Sequence, residues 1–134
     1  MYTPIRWQQR FQNFEKAYLI LEEALVRTKD NPSDRLLQAG CLQSYEFTIE
    51  LAWKTLKDFL ESKELIVLNP SETIRNAFQQ NYIKDADLWL EALKARNLTS
   101  HAYNEKLAAE ILEKIRGSYF ALLTSLYDFF KTQN

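Results

Sequence analysis

From Trp7 onward, apolar residues return every three or four positions: Phe11, Phe14, Tyr18, Leu21 and Leu25. That spacing draws one stripe along an amphipathic helix. The stripe stops before Asn31-Pro32, so a helix end is expected near Lys29. Asn31, Pro32 and Asp34 then resemble an N-cap, a first-turn proline and an acidic third position. A second stripe follows in Leu42, Tyr45, Ile49, Ala52, Leu56 and Phe59, widened by Trp53 and Leu60. Asn69-Pro70-Ser71-Glu72 repeats the entry signal and opens a short helix carrying Ile74, Phe78 and Tyr82. Another short helix is expected from Asp85 to about Asn97, presenting Leu88, Trp89, Ala92 and Leu93. The polar stretch Asn97–Asn104 breaks it. Ala108, Leu112, Ile115, Tyr119, Leu122, Leu126 and Phe129 then mark a third long helix, with Gly117 inside it as a place to bend or pack closely.

Leu65-Ile66-Val67-Leu68 is the one β-like run, and without a pairing partner it reads as a buried connector. Three long helices and two short ones predict an all-α, antiparallel bundle of four-helix type. No repeat or linker divides the chain, so residues 1–134 are expected to form one domain.

Composition narrows the function classes. The 134 residues include eighteen aromatic ones, which argues against disorder, and one cysteine, which excludes an intramolecular disulfide framework. Two glycines cannot supply a Gly-rich phosphate loop. No apolar run reaches the ~18 residues of a membrane span and no signal-peptide core is visible, so a cytoplasmic protein without membrane contact is expected. Residues 1–62 carry eight basic and nine acidic side chains, and residues 63–134 carry nine of each. With no basic excess, any RNA contact must be local or borrowed from a second subunit.

The single histidine, His101, lies in the break, five residues after Arg96. One histidine supplies neither a di-iron nor a zinc ligand set, so neither a metal nor a cofactor is expected. A lone histidine near a helix end ordinarily caps or hydrogen-bonds there. Paired with an arginine, it also suits metal-independent RNA cleavage. A neutral imidazole takes the 2′-hydroxyl proton or a protonated one supplies the leaving oxygen, while guanidinium holds the phosphate. One histidine cannot be acid and base at once, and a two-fold dimer removes that difficulty.

Arg96-Asn97-xxx-His101-x-Tyr103 resembles the Arg-x(4–6)-His signature of the HEPN superfamily, in the RxxxxHxY form of HepT-like proteins. Gln43-Ser44-Tyr45-Glu46-xxx-Glu50-Leu51-x-Trp53-Lys54 is similar to the helix-two signature of a narrower family. That family is the nucleotidyltransferase substrate-binding subunits, helical partners of minimal (MNT-type) nucleotidyltransferases. Asn69-Pro70-Ser71, Ile74-Arg75-x-Ala77-Phe78 and Trp89-Leu90 fit it as well, so the likeness runs along nearly the whole chain.

The resemblance implies a homodimeric bundle with Arg96 and His101 facing a cleft near the dimer interface. It implies a ribonuclease toxin whose antitoxin is the nucleotidyltransferase, which adenylylates the tyrosine at the Tyr103 position and so blocks the site. An alternative under the same resemblance is a non-catalytic subunit that presents substrate or nucleotide to the transferase. A helical dimer with a vestigial cleft is the third. Asn97 either orients His101, binds phosphate or C-caps the preceding helix. Glu46 is expected to line the cleft near Arg96, Glu50 to pair with Lys54, and Cys41 to be buried.

Overall fold

The structure, a computed structural model, describes residues 5–101 and 103–133, with the backbone alone for Thr99 and His101. It is all helical: α1 spans Ile5–Asp30, α2 Arg35–Ser62, α3 Pro70–Gln79 and α4 Ala86–Ala95. A 3₁₀ turn, Arg96–His101, continues α4 directly. The last rod is α5, Glu105–Lys114, a π-turn at Ile115–Tyr119, and α6, Phe120–Lys131. No strand forms among the described residues.

The first stripe does what its spacing predicts: Trp7, Phe14, Tyr18, Leu21 and Leu25 are buried and Phe11 is half-buried. The α1–α2 hairpin is antiparallel. Arg10 near its open end reaches Asp58 at 2.6 Å, while the Thr48 hydroxyl in mid-helix donates to the Ala17 carbonyl at 3.2 Å. The connection differs from the expected cap. Asn31 closes α1, its amide and side chain both donating to the Arg27 carbonyl. Asp34, not Asn31, is the N-cap of α2, its carboxylate accepting from the Leu37 amide at 3.1 Å. Pro32 therefore sits in the turn instead of the first helical position, and a turn of Asp34 onto Asn31 fills the difference.

Leu42, Tyr45, Ile49, Ala52, Leu56, Phe59 and Leu60 bury the α2 stripe, with Cys41 beside them. Both α2 and α3 end in a left-handed residue, Glu64 at φ 64° and Asn81 at φ 64°. After each, the next amide returns to the helix: Leu65 to Leu60 and Tyr82 to Ala77, both at 2.9 Å. This is the Schellman closure. Asn69 caps α3 through Glu72 as expected, with Pro70 in the first turn. Within the connector Val67 is buried but Ile66 and Leu68 are exposed, so only alternate residues belong to the core. Phe78 is also exposed, and Ala77 takes the buried place beside Ile74.

α4 and the α5–α6 rod lie against the hairpin. Tyr45 on α2 donates its hydroxyl to the Ala92 carbonyl at 2.5 Å, and Tyr18 on α1 meets Thr124 at 2.8 Å. Trp7 stacks on Phe130 at 5.5 Å, so the C-terminal aromatic residues pack back onto the start of α1 within the chain. Gly117 lies in the π-turn, exposed, and a β-carbon there would meet nothing within 4 Å. Close packing is therefore not its role. A π-turn inserts one residue into a helix, and this one keeps Ile115, Tyr119, Leu122 and Leu123 all on the buried side. Among the described residues no helix is long and apolar enough to cross a membrane.

Candidate functional site

The α4 stripe ends at Ala95, and Asn97, Leu98 and Ser100 beyond it are exposed. The backbone tightens into the 3₁₀ turn, with the Ser100 hydroxyl donating to the Asn97 carbonyl at 3.3 Å. Asn104 then starts α5, its side chain accepting from the Leu107 amide at 3.1 Å. The far side of this loop is held by the first residue of α2. Arg35 donates to the Tyr103 carbonyl at 3.4 Å and pairs with Glu105 at 3.0 Å. A polar loop is thus clamped between the beginning of α2 and the beginning of α5.

Arg96 stands at the C-cap of α4, with a quarter of its side chain exposed. Its guanidinium is paired with Glu50. The other Glu50 oxygen accepts from the Trp53 indole N–H at 3.2 Å and lies 3.9 Å from the Lys54 ammonium. The Glu50–Lys54 pair was expected; the Glu50–Arg96 pair was not, since Glu46 was the carboxylate assigned to that neighbourhood. One turn along α2 separates the two, and Glu46 is exposed. The sequence did carry a trace of the Glu50 role: Trp53 and Lys54, three and four residues on, are the spacings that share one helix face.

Beneath the pair, Tyr45 is fully buried, and burial pushes its hydroxyl far above its ordinary value, with the nearby Tyr119 adding to the effect and Arg96 opposing it. The hydroxyl stays protonated and so pins α2 to the last turn of α4. Tyr119 likewise is pushed up, first by burial and then by donating to Glu91 at 2.7 Å. These bonds fix where Arg96 leaves the helix.

Of the other candidate residues, Tyr103 is 76% exposed and Asn97 is exposed. The C-cap position that Asn97 was considered for belongs to Arg96. His101 closes the 3₁₀ turn by its backbone, and its side chain lies outside the described residues. The turn thus brings Arg96 and the His101 backbone together on one short segment, with Tyr103 two residues beyond. Among the described residues no three His, Cys, Asp or Glu side chains gather as a metal site. Chemically, the arrangement offers a guanidinium held by a carboxylate that is itself about one-third exposed. Such a guanidinium is oriented before a ligand arrives, and its planar fork of donors matches the oxygens of a phosphate.

Glu50 also lies at one end of a groove of about 620 Å³ between α1 and α2, with Ile20, Gly40, Phe47 and Leu51 along it. Ile20 and Phe47 are more than half exposed there.

Residues 9–132 match the family described as nucleotidyltransferase substrate binding protein like. Over 115 residues the sequence is 28% identical to a Haemophilus influenzae protein named a probable ribonuclease HepT, covering 75% of this chain and 78% of that one. Among solved structures, one from Haemophilus influenzae superposes with a TM-score of 0.82 at 22% identity, covering 91% of this chain and 99% of that chain. It is described as revealing the fold of a substrate binding domain of a nucleotidyltransferase. At that identity the likeness speaks for the fold alone. A Thermus thermophilus structure, 30% identical, superposes with a TM-score of 0.66 over 81% of this chain and 96% of that chain.

Proposed function

The chain belongs to the nucleotidyltransferase substrate binding protein like family, and from that premise we propose that it is a HepT-like, metal-independent ribonuclease of HEPN type, paired in the cytoplasm with a nucleotidyltransferase that silences it. The observation that carries this reading is the Arg96 guanidinium, part-exposed and held by Glu50 at the start of the turn that ends in His101. The likeness to a probable ribonuclease supports it.

In this reading Arg96 grips a phosphodiester of RNA. The imidazole of His101 removes the 2′-hydroxyl proton, and the oxygen attacks the adjacent phosphorus. The P–O5′ bond breaks, leaving a 2′,3′-cyclic phosphate and a 5′-hydroxyl once the leaving oxygen is protonated. That last proton comes from the histidine of a second copy, because each chain has one histidine. The half-exposed Ile20 and Phe47, on the face that runs to Glu50, support a homodimer that places the two pairs together. Asn97, exposed beside Arg96, orients the bound phosphate.

Silencing follows from Tyr103. Its hydroxyl attacks the α-phosphorus of ATP in the partner's active site, the phenolic proton is lost and pyrophosphate leaves, so Tyr103 carries AMP. The exposure of this ring supports that role. The attached phosphate, two residues from His101, then competes with RNA for Arg96.

Purified, metal-free protein incubated with mixed RNA tests the proposal beside His101→Ala and Arg96→Ala variants of matched helicity. Cleavage by the wild type alone is expected. Equal cleavage by the variants removes the assignment of these residues. A second reading is favoured by the family description itself: a non-catalytic subunit that presents substrate to the nucleotidyltransferase. It predicts no cleavage, with Arg96 and Tyr103 affecting transferase turnover instead.

A further inference from the structure

Beside Arg96, the start of α3 and the end of α4 enclose a groove of about 430 Å³. Small-ligand sites occupy ~300–1,000 Å³. Arg75, Lys94, Arg96, Asn97, Asn69 and Ser71 line it, and among the described residues no carboxylate does. Leu90 and Leu93 supply an apolar floor. By contrast, the groove between α4 and α5 is lined by Glu91, Glu110 and Glu113 with a single lysine. A chain of net charge −1 has therefore sorted its charges between the two grooves.

Arg75 is also differently engaged from the other arginines. Six of the seven arginines lie within ion-pair distance of a carboxylate. Arg75 is the exception among the described residues, and Lys94 likewise has no ion-pair partner among them. Both are exposed. The capping bonds of α3 do not supply the attraction, because Asn69 and Glu72 already satisfy that terminus. The two side chains and Arg96 do.

We propose that this groove is the track for the RNA chain leaving the cleavage site, with Arg75 and Lys94 holding the phosphates that neighbour the one at Arg96. The proposal rests on the ribonuclease reading and names how its substrate is held. Among the described residues no aromatic ring lines the groove, so the contact there is with the backbone of a single strand, indifferent to sequence. This is a local footprint of the kind that an electrically balanced chain requires.

Fluorescence anisotropy of the full-length chain carrying His101→Ala, with an unstructured RNA of about twelve nucleotides, measures the contact at several salt concentrations. Adding Arg75→Gln and Lys94→Gln is expected to weaken binding about tenfold and to flatten the log–log salt slope by about 1.4, two contacts at ~0.7 each. Arg75→Lys with Lys94→Arg retains the affinity, and Lys16→Gln with Lys131→Gln, the same loss of charge elsewhere, leaves it within about twofold. Unchanged affinity and slope in the glutamine variant overturn the groove, including where that variant loses only its hold on the nucleotidyltransferase. Cleavage is scored separately on the chain with His101 intact. Cleaving protein with an unaffected glutamine variant sinks the groove alone. Sequence-independent RNA binding that needs Arg75 and Lys94, in protein that never cleaves, upholds the groove and sinks the nuclease.

Discussion

Two carboxylates on α2, eight residues apart, have each drawn an arginine from another helix, and the two ends of the molecule differ by what surrounds them. Asp58 is 2% exposed. Arg10 holds it at 2.6 Å and Arg6 stands at 3.8 Å. Around it Trp7, Phe59, Tyr82, Phe129 and Phe130 interlock, with Trp7 edge-on to Phe59 at 5.1 Å. Glu50 leaves a third of its side chain in water and shares its arginine with a groove. A buried ion pair loses more when one partner is removed than it gained by forming, so it locks a structure. A half-open pair is worth little to stability and is free to exchange its partner for a ligand. Similar chemistry locks the structure at one end and leaves a part-solvated pair at the other.

The contrast breaks most visibly at Phe59. Truncation to alanine removes the ring on which Trp7, Tyr82, Phe129 and Phe130 converge, and ~3–5 kcal/mol of stability is expected to go with it. Urea denaturation measures this. A loss under ~1 kcal/mol would mean that the aromatic end collapses to fill the space. Next comes the asymmetry of the Asp58 pair. Arg10→Leu leaves a carboxylate that is 3% exposed with only the longer contact to Arg6 at 3.8 Å, whereas Asp58→Asn leaves behind an arginine that already reaches water at 32%. The arginine variant is therefore expected to cost more, ~3 kcal/mol against ~1–2 kcal/mol. Equal losses would place Asp58 in a wetter site than its burial indicates.

The two ends were also unequally legible in the sequence. At the aromatic end the spacing of Trp7, Tyr18, Leu21, Ile49, Leu56 and Leu126 gave the helices and their buried faces, because a period of 3.6 records which side meets the core. What spacing does not record is where a stripe changes register. Phe130 is buried where Phe129 was expected, and Gly117 marks the place of the π-turn at Ile115–Tyr119 but not the residue that it inserts. Two helix ends left no clear signal for a related reason. Glu64 and Asn81 take the left-handed positions usually held by glycine, so the usual letter was missing. At the polar end, resemblance picked out Arg96, His101 and Tyr103, while pairing across helices stayed hidden. Arg96 and Glu50 are 46 residues apart, Arg35 and Tyr103 are 68 apart, and no local pattern encodes either meeting. The buried Asp58 was missed because its partners, Arg6 and Arg10, stand on a different helix.

At the open end the expected losses pass from stability to rate. Glu50→Gln is expected to change stability by under ~1 kcal/mol, since the pair is part-solvated. If Glu50 is a positioning residue for Arg96, kcat for RNA cleavage falls about tenfold while KM moves little, because orientation is lost and charge is kept. Glu50→Asp, one methylene shorter, restores part of kcat. A variant that loses stability and KM together would make Glu50 a structural residue like Asp58.

The smallest expected effect is a pH effect at the aromatic end. Tyr127 on α6 donates its hydroxyl to Glu15 on α1 at 2.7 Å, and that bond, more than burial, raises its pKa to about 12. The charges of Glu15 and Asp128 and the neighbouring Tyr18 push the same way. A raised folded-state value means that the bond's contribution is complete below the ordinary tyrosine value of ~10. Above it the unfolded chain ionises first, and stability drains away as pH climbs toward about 12. Tyr127→Phe removes one titrating group from that loss, so the stability of the variant should fall less steeply than the wild type's between those values. Denaturant midpoints taken in half-unit steps compare the slopes. Parallel slopes would mean that Tyr127 ionises as it does in water, and that the stacking of its ring on Phe11 and Tyr18, at 5.9 and 4.5 Å, holds α6 against α1 without the hydroxyl.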